Sequence, residues 1–220
     1  MQGKLIVIEG TDGSGKGTQT KLLYEKLKQN NEVEMIEFPR YGERSALLVE
    51  DYLTGKFGTA EEVTAKQSSV FYAVDRYVAS FQIKKWLSEG KIVLCNRYVS
   101  ASMGHQAGKI QDQEERKKFI EWLKDLEYNI FDLPRPSATA LLNMPPAIGQ
   151  KLVDKKGKRE YVDGRDIHED NILHLENAHK AFIEVAKDEQ WIVIDCAPNN
   201  NLRTIENINE ELISKLQSLI

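Results

Sequence analysis

Residues 4–19 place an apolar run, a glycine-rich loop and the start of a helical pattern directly after one another, in the sequence KLIVIEGTDGSGKGTQ. Gly10, Gly15 and Lys16 fit the phosphate-loop pattern G-x-x-x-x-G-K-[ST], but Gly17 stands where the pattern has a hydroxyl residue that contacts Mg²⁺. In such a loop the backbone N–H groups and the following helix N-terminus attract an anion, and glycines let the backbone approach a phosphate closely. The stretch therefore predicts an α/β fold with a nucleotide site after its first strand.

The spacing of the glycines favours ATP or a similar triphosphate as the ligand. Gly13, Gly15 and Gly17 alternate, which does not give the G-x-G-x-x-G spacing of a dinucleotide loop. Mg²⁺ takes much of its coordination from water and substrate phosphates, so Gly17 removes a direct metal ligand without removing the phosphate site. We predict ATP with Mg²⁺ as its cofactor, and Lys16 as a catalytic residue that reaches the terminal phosphates. The residues predicted to contact ATP are Gly10, Thr11, Asp12, Gly13, Ser14, Gly15, Lys16, Gly17 and Thr18.

Short apolar runs alternate with longer helical patterns along the chain. The runs predict buried parallel strands at 5–9, 33–38, 91–96, 138–143 and 191–195. Helices are predicted at 16–29, 45–53, 60–88, 113–129, 167–188 and 204–219. This alternation indicates a three-layer α/β fold, with a five-stranded parallel sheet flanked by helices, as a single domain over residues 1–220.

Composition restricts the partners of the chain. The 220 residues are 41% hydrophobic and carry a net charge of −4, which gives no global attraction to a nucleic acid polymer or an anionic membrane. No apolar run approaches the roughly 20 residues that span a bilayer. Cys95 and Cys196 each lie in an apolar run, so we interpret them as buried thiols in a reducing compartment. With no targeting signal recognised, we expect a cytoplasmic protein.

One segment, GQKLVDKKGKREYVDGRD at 149–166, is polar and basic and follows the fourth predicted strand. Two interpretations remain open. A run of charges is most often a solvated surface loop, but an insertion over the carboxyl edge of a parallel sheet is also well placed to close over a bound nucleotide. We predict a mobile lid insertion at about 146–166.

Three features after predicted strands or on the long helix suggest a second anion site for a phosphate acceptor. Arg40 follows the second strand, Arg97 follows the third, and Tyr72 and Arg76 share one helical face. An aromatic ring and an arginine on one face can stack on a base and donate to its edge. Taken singly, Tyr72 and Arg76 could equally be an ordinary contact on an amphipathic helix, and Arg97 a surface salt-bridge partner.

Further motifs occur at FPRYG (38–42), FYAVDRY (71–77), NRYVSASMGHQAG (96–108), LPRPSATALLNMPP (133–146) and DIHE (166–169). Together with the phosphate loop they resemble the thymidylate kinase (dTMP kinase) family of P-loop nucleoside monophosphate kinases, over nearly the whole chain. The resemblance implies a P-loop NTPase fold with a mobile lid, and usually a homodimer packed through helices. It also implies transfer of the γ-phosphoryl group of ATP to dTMP, giving dTDP for dTTP and pyrimidine deoxynucleotide synthesis.

The resemblance assigns roles around the acceptor. Asp12 matches the carboxylate that accepts the dTMP 3′-hydroxyl, Tyr72 the stacking ring and Arg76 the arginine that reads thymine. Arg97 matches a catalytic arginine that bridges the two substrates' phosphates, and His105 stands where the family has Tyr or Phe beside the sugar, which leaves discrimination against ribonucleotides open. The acceptor-binding set is Asp12, Phe38, Arg40, Tyr41, Tyr72, Arg76, Arg97, Ser102 and His105.

The chain also departs from the family pattern. Asn96 replaces the Asp that usually precedes the arginine, so no metal ligand is certain, and we expect Mg²⁺ to be held largely by phosphates and water. The candidates for contact through water are Asn96, Asp166 and Glu169. Gly13 stands where some members of the family have a catalytic Arg, whereas other members use basic residues of the lid. We predict Arg159 for that role, because its guanidinium group can donate to two phosphate oxygens at once.

Two other functions stay open from the sequence. GKGTQ resembles adenylate kinases, which makes another nucleoside or deoxynucleoside monophosphate kinase the nearest alternative. A non-catalytic nucleotide-binding regulatory subunit is the second, supported by Gly17 and Asn96 and opposed by the intact Lys16.

Overall fold

Five parallel strands form one sheet in the order β2-β3-β1-β4-β5. The computed structural model describes residues 3–154, 172–217 and 219. The strands are β1 (Lys4–Glu9), β2 (Val33–Glu37), β3 (Ile92–Asn96), β4 (Ala138–Asn143) and β5 (Ile192–Asp195). Each predicted strand is confirmed to within one residue at either end. The carboxyl ends of β1, β2 and β3 lie side by side, and this edge carries the site described below.

Helices cover both faces of this sheet. They are α1 (Lys16–Leu27), α2 (Leu47–Leu53), α3 (Ala65–Ser88), α4 (Val99–His105), α5 (Gln113–Lys124), α6 (Pro146–Asp154), α7 (Ile172–Asp188) and α8 (Ile205–Leu216). Successive residues of β1 point to opposite faces, so Val7 packs in a core with α3, α5 and α7, while Ile8 packs in a second core with α1 and α8. The three-layer α/β prediction is confirmed.

Helix boundaries differ from the predictions where local chemistry decides them. α3 begins at Ala65 rather than at residue 60, because Thr64 caps it in a reciprocal capping box with Gln67. The predicted helix at 45–53 is a 3₁₀ turn at Arg44–Ala46 followed by α2. α5 ends at Lys124 and continues as a π-helical segment, Asp125–Ile130.

Two helices were not predicted. α4 contains small and polar residues without a helical apolar period, so no sequence pattern predicts it. α6 occupies the first part of the predicted lid insertion, so the loop interpretation is wrong for the part of 149–166 that lies within α6. The rest of that insertion, with Arg159 and Asp166, lies outside the described residues, as does Glu169.

Both cysteines are buried and free, as predicted. Cys95 lies in β3 and Cys196 directly follows β5. Among the described helices, none combines the length and apolar character needed to cross a bilayer.

Candidate active site

A cleft of about 1200 Å³ opens at the carboxyl ends of β1, β2 and β3. It brings together residues from the phosphate loop, the loop after β2, helix α3 and helix α4. The predicted site residues that line it are Asp12, Gly13, Gly15, Lys16, Gly17, Phe38, Arg40, Tyr41, Tyr72, Arg76, Asn96, Arg97, Ser102 and His105. Gly10, Thr11 and Ser14 belong to the same loop and Thr18 to the first turn of α1, but these four residues lie outside this lining.

The loop between β1 and α1 has the geometry of an anion nest. Gly10, Gly13 and Gly15 have positive φ values of 150°, 78° and 86°, and the Ser14 N–H donates to the Thr11 carbonyl at 3.2 Å. Lys16 is the first residue of α1, and its Nζ folds back to donate to the Thr11 carbonyl at 2.9 Å. The loop N–H groups, the α1 N-terminus and the ammonium group therefore surround one small volume.

Lys16 is strongly affected by this environment. Burial, followed by the charge of Arg97, lowers the pKa of Lys16 from 10.5 to about 7, although Asp12, Glu9 and Glu37 act in the opposite direction. The ammonium form is thus poorly stabilised in the free protein. The negative charge of a bound phosphate chain would stabilise the ammonium form of Lys16.

This shift predicts that nucleotide binding takes up a proton at alkaline pH. Below about pH 7 Lys16 is already charged, whereas above it the free protein must first gain the proton, so the Kd for ADP should rise roughly tenfold per pH unit from about pH 7.5 to about pH 9. Calorimetry in buffers of different ionisation enthalpy measures the uptake. In the Lys16→Met variant the pH slope should vanish; an equal slope in that variant would assign the proton to another group.

Gly13 is packed directly against α6, at the start of the predicted lid insertion. A Cβ at Gly13 would lie 2.0 Å from the carbonyl oxygen of Gly149 in α6, and a Cβ at Gly149 would lie 2.7 Å from the carbonyl oxygen of Asp12. Neither residue can carry a side chain without moving the other backbone. The contact joins the phosphate loop to α6, which also contributes Val153 to the cleft wall.

We therefore expect Gly13→Ala to be destabilising and to reduce turnover. A non-glycine residue at a φ of 78° costs about 1–3 kcal/mol, and the clash with Gly149 must displace α6 in addition. Gly17→Ala is a matched control for stability, because the nearest atom to its Cβ is Asn96 Nδ2 at 3.8 Å. Chemical unfolding of both variants measures the difference, and equal unfolding free energies would contradict the packing argument.

Arg97 connects the phosphate loop to the end of β3. Its Nη2 donates to Asp12 Oδ1 at 2.6 Å and its Nη1 lies 2.8 Å from His105 Nε2. Arginine can only donate, so His105 accepts through Nε2 and carries its proton on Nδ1. Burial lowers the pKa of Arg97, but Asp12 and Glu9 more than offset this and hold the pKa above its ordinary value. A permanent cation is thus fixed in the cleft between the phosphate loop and α4.

Glu9, which sequence reasoning missed, holds the loop that carries Arg97. Its carboxylate is fully buried and accepts from Gly10 N–H at 3.3 Å, Tyr98 N–H at 3.1 Å and Ser100 Oγ at 3.1 Å. Burial raises the pKa of Glu9, while Arg97 and Lys16 oppose that rise. As the last residue of an apolar strand, Glu9 was assigned no role from sequence.

Arg76 lies at the opposite wall and is held by another residue that the sequence did not single out. Its Nε and Nη2 each donate to Glu127 at 2.6 Å, and Nη2 also donates to Ser102 Oγ at 3.0 Å. Both charged side chains are at most 1% exposed. Burial lowers the pKa of Arg76, but Glu127 reverses the direction, so the guanidinium stays charged. Within the described part of the chain Nη1 donates no hydrogen bond, which leaves it for a ligand in the cleft.

Arg40 is anchored to α3, the helix that carries Tyr72 and Arg76. Its Nε donates to Asp75 Oδ1 at 2.9 Å, its backbone N–H donates to Asp75 Oδ2 at 2.9 Å, and its Nη2 donates to Ser45 Oγ at 2.6 Å. Asp75 comes from α3, between Tyr72 and Arg76. The prediction that Tyr72 and Arg76 share a face is confirmed, since both line the cleft.

Asn96 is one of the three predicted candidates for a metal contact through water. It is 5% exposed, its Nδ2 donates to Glu37 Oε1 at 2.8 Å, and its Oδ1 is buried without a hydrogen-bond partner in the described residues. The described residues contain no group of three or more His, Cys, Asp or Glu side chains placed to share a metal ion. An unpartnered oxygen beside a carboxylate fits a hydrated cation carried in by phosphates, and does not form a protein cage for a bare ion.

Comparisons with known proteins point to one family. A family model described as "Thymidylate kinase" matches residues 8–207. The chain is 26% identical over 219 residues to a protein named thymidylate kinase from Plasmodium falciparum (isolate 3D7), covering 99% of this chain and 91% of that protein. It is 28% identical to one from Orientia tsutsugamushi (strain Ikeda), covering 96% and 92%. The solved structure of thymidylate kinase from Candida albicans shares the fold, with a TM-score of 0.75 at 23% identity, covering 99% of this chain and 92% of that one.

Proposed function

The chain belongs to the thymidylate kinase family, and from that premise we propose that it transfers the γ-phosphoryl group of ATP to dTMP, forming ADP and dTDP for deoxynucleotide synthesis. The observation that carries the proposal is the single cleft that joins the phosphate loop to Arg97 and to the Tyr72 and Arg76 wall. A donor phosphate chain and a pyrimidine nucleotide can lie end to end across it.

The reaction needs positioning and charge neutralisation more than covalent chemistry. A phosphate oxygen of dTMP attacks the γ-phosphorus as the bond to the bridging β–γ oxygen breaks, and ADP leaves. The acceptor is already an anion at neutral pH, so no strong general base is required. Lys16 and the loop N–H groups hold the donor phosphates, while Arg97 stabilises the charge that develops between donor and acceptor.

The acceptor is held by the opposite wall of the cleft. Tyr72 stacks on the base, Arg76 donates to its edge through the free Nη1 and Ser102 lies beside it. Arg40 and Phe38 lie at the end of β2 and complete the acceptor side with Tyr41. Asp12 accepts the sugar hydroxyl, and its carboxylate is already oriented by Arg97.

We propose that Mg²⁺ binds together with ATP and, when bound, neutralises phosphate charge. Asn96 would contribute an oxygen toward its waters, and Asp166 and Glu169, which lie outside the described residues, are further candidates. Arg159, also outside them, is proposed to contact the transferred group when the lid closes. The support for a lid is the basic composition of 149–166 and the packing of α6 on the phosphate loop.

We also propose that the protein forms a homodimer and works in the cytoplasm. Helix α3 exposes an apolar stripe at helical spacing, which is typical of a surface covered by another subunit. Its members, with their exposed fractions, are Val70 39%, Tyr77 39%, Val78 47% and Phe81 64%. The two free, buried cysteines are compatible with a reducing compartment.

A coupled assay of ADP formation against several acceptors tests the specificity. With ATP and Mg²⁺, dTMP should be the best of dTMP, dUMP, UMP, AMP and CMP, and comparison of dUMP with UMP reports whether His105 discriminates against ribose. A preference for AMP would favour an adenylate kinase. Binding of ATP and dTMP without turnover would favour a regulatory subunit.

A further inference from the structure

The carboxyl ends of β2 and β3 bring two polar side chains to the same point of the cleft wall. Glu37 and Asn96 are register partners on the two strands, and both line the cleft beside the phosphate loop. Asn96 Nδ2 donates to Glu37 Oε1 at 2.8 Å. This hydrogen bond fixes the Asn96 amide, so that Oδ1 cannot exchange places with Nδ2 without losing a partner.

The side-chain oxygen of Asn96, Oδ1, lacks a hydrogen-bond donor in the described part of the chain. It is buried and has no partner among the described residues, and leaving a buried acceptor unsatisfied costs about 1–3 kcal/mol. A nucleotide phosphate cannot satisfy it, because phosphate oxygens also only accept. A ligand that satisfies this oxygen must therefore donate hydrogen bonds or carry positive charge.

The neighbouring geometry leaves room for such a ligand. Gly17 has no side chain, and the nearest atom to a Cβ there is Asn96 Nδ2 at 3.8 Å. Glu37 is solvent-exposed within the cleft, and its charge acts on Lys16 at the phosphate loop. An exposed carboxylate, held by its hydrogen bond from Asn96, therefore lines the cleft beside the position of the donor phosphates.

We propose that Glu37, together with Asn96, accepts hydrogen bonds from the water shell of the divalent cation that accompanies the nucleotide. The inference rests on the proposed function and adds Glu37 to its metal-binding residues. Mg²⁺ keeps several of its waters when it binds with phosphates, so acceptors placed around those waters set its affinity. Glu37 supplies the negative charge that Asn96 lacks, from the adjacent strand.

The test is the metal dependence of nucleotide affinity, measured without turnover. Isothermal titration gives the Kd of ADP in EDTA and in excess Mg²⁺, and the ratio of the two is the metal enhancement. In Glu37→Gln, which keeps the size and the acceptor for Asn96, the enhancement should fall about tenfold or more, while the Kd for metal-free ADP stays equal or decreases. Glu37→Asp keeps the charge and should retain part of the enhancement.

Glu34→Gln is the matched control, since it removes the same charge from the same strand. Its carboxylate accepts from Lys91 at 2.8 Å and does not line the cleft. Wild-type enhancement in Glu34→Gln together with its loss in Glu37→Gln supports the proposal. Equal enhancement in Glu37→Gln and the wild type overturns it and leaves the kinase function standing, whereas failure of the wild type to bind ADP overturns both.

Discussion

Lys16→Ala is expected to lower kcat/KM for phosphoryl transfer by a factor of about 10²–10³, the loss that follows removal of one preorganised donor at a developing charge. The fold should survive. Lys16 is buried, and its pKa of about 7 shows that folding disfavours its ammonium form. The charge of Lys16 lowers the free energy of unfolding, fully below about pH 7 and no longer above the pKa of 10.5 that the group has in the unfolded chain. Removing the charge therefore does not destabilise the fold at neutral pH.

Steady-state kinetics and thermal unfolding of the variant without nucleotide provide the measurement. Lys21→Ala is the control, because Lys21 is an exposed lysine on the same helix, α1. Normal activity in Lys16→Ala, or a variant that does not fold, would contradict the role given to Lys16.

Glu127→Ala is expected to have the largest effect on stability. Glu127 and Arg76 form a buried ion pair with both side chains at most 1% exposed, and removing one partner of such a pair costs about 3–5 kcal/mol because the other charge stays buried. For a chain of this size the Tm should fall by roughly 6–20 °C. The KM for dTMP should also rise with little change in the Kd for ATP, since Arg76 loses the carboxylate that orients it.

Differential scanning calorimetry and separate KM values for the two substrates test this. Glu121→Ala is the control, because Glu121 pairs with Lys124 on the exposed surface of α5. Exposed pairs contribute about 1 kcal/mol or less, so this control should change the Tm little. A Glu127→Ala protein as stable as Glu121→Ala would show that Arg76 is satisfied in another way.

The parts of the site that could be predicted from the sequence depend on local patterns. The apolar run before Gly10, the loop glycines and each strand or helix pattern lie within short segments, so the sheet and the phosphate loop could be predicted. Arg97 and Arg40 could be placed as well, because residues that follow neighbouring parallel strands meet at one edge of the sheet.

The parts that were missed depend on contacts between distant segments. Glu127 reads as a solvated helix residue, and its burial arises from the π-helical turn and from an arginine 51 positions away. Glu37 becomes relevant only once the register places it opposite Asn96. The packing of Gly13 on Gly149 joins segments whose proximity no sequence pattern encodes.

Gly17 and Asn96 looked in the sequence like losses of two metal contacts. In the structure Asn96 Nδ2 is the atom nearest to a Cβ at Gly17, at 3.8 Å, and the same nitrogen donates a hydrogen bond to Glu37. In the proposed metal contact Glu37 reaches this point from the neighbouring strand, so its placement depends on the register of the two strands and not on a sequence motif.

Phosphorus NMR of the purified protein with ATP, dTMP and Mg²⁺ tests the central claim most directly, because it follows where the γ-phosphoryl group goes. The expected result is the loss of ATP with formation of one dTDP for each ADP and little inorganic phosphate. Formation of ADP and inorganic phosphate without dTDP, or unchanged ATP with both nucleotides bound, would contradict the assignment.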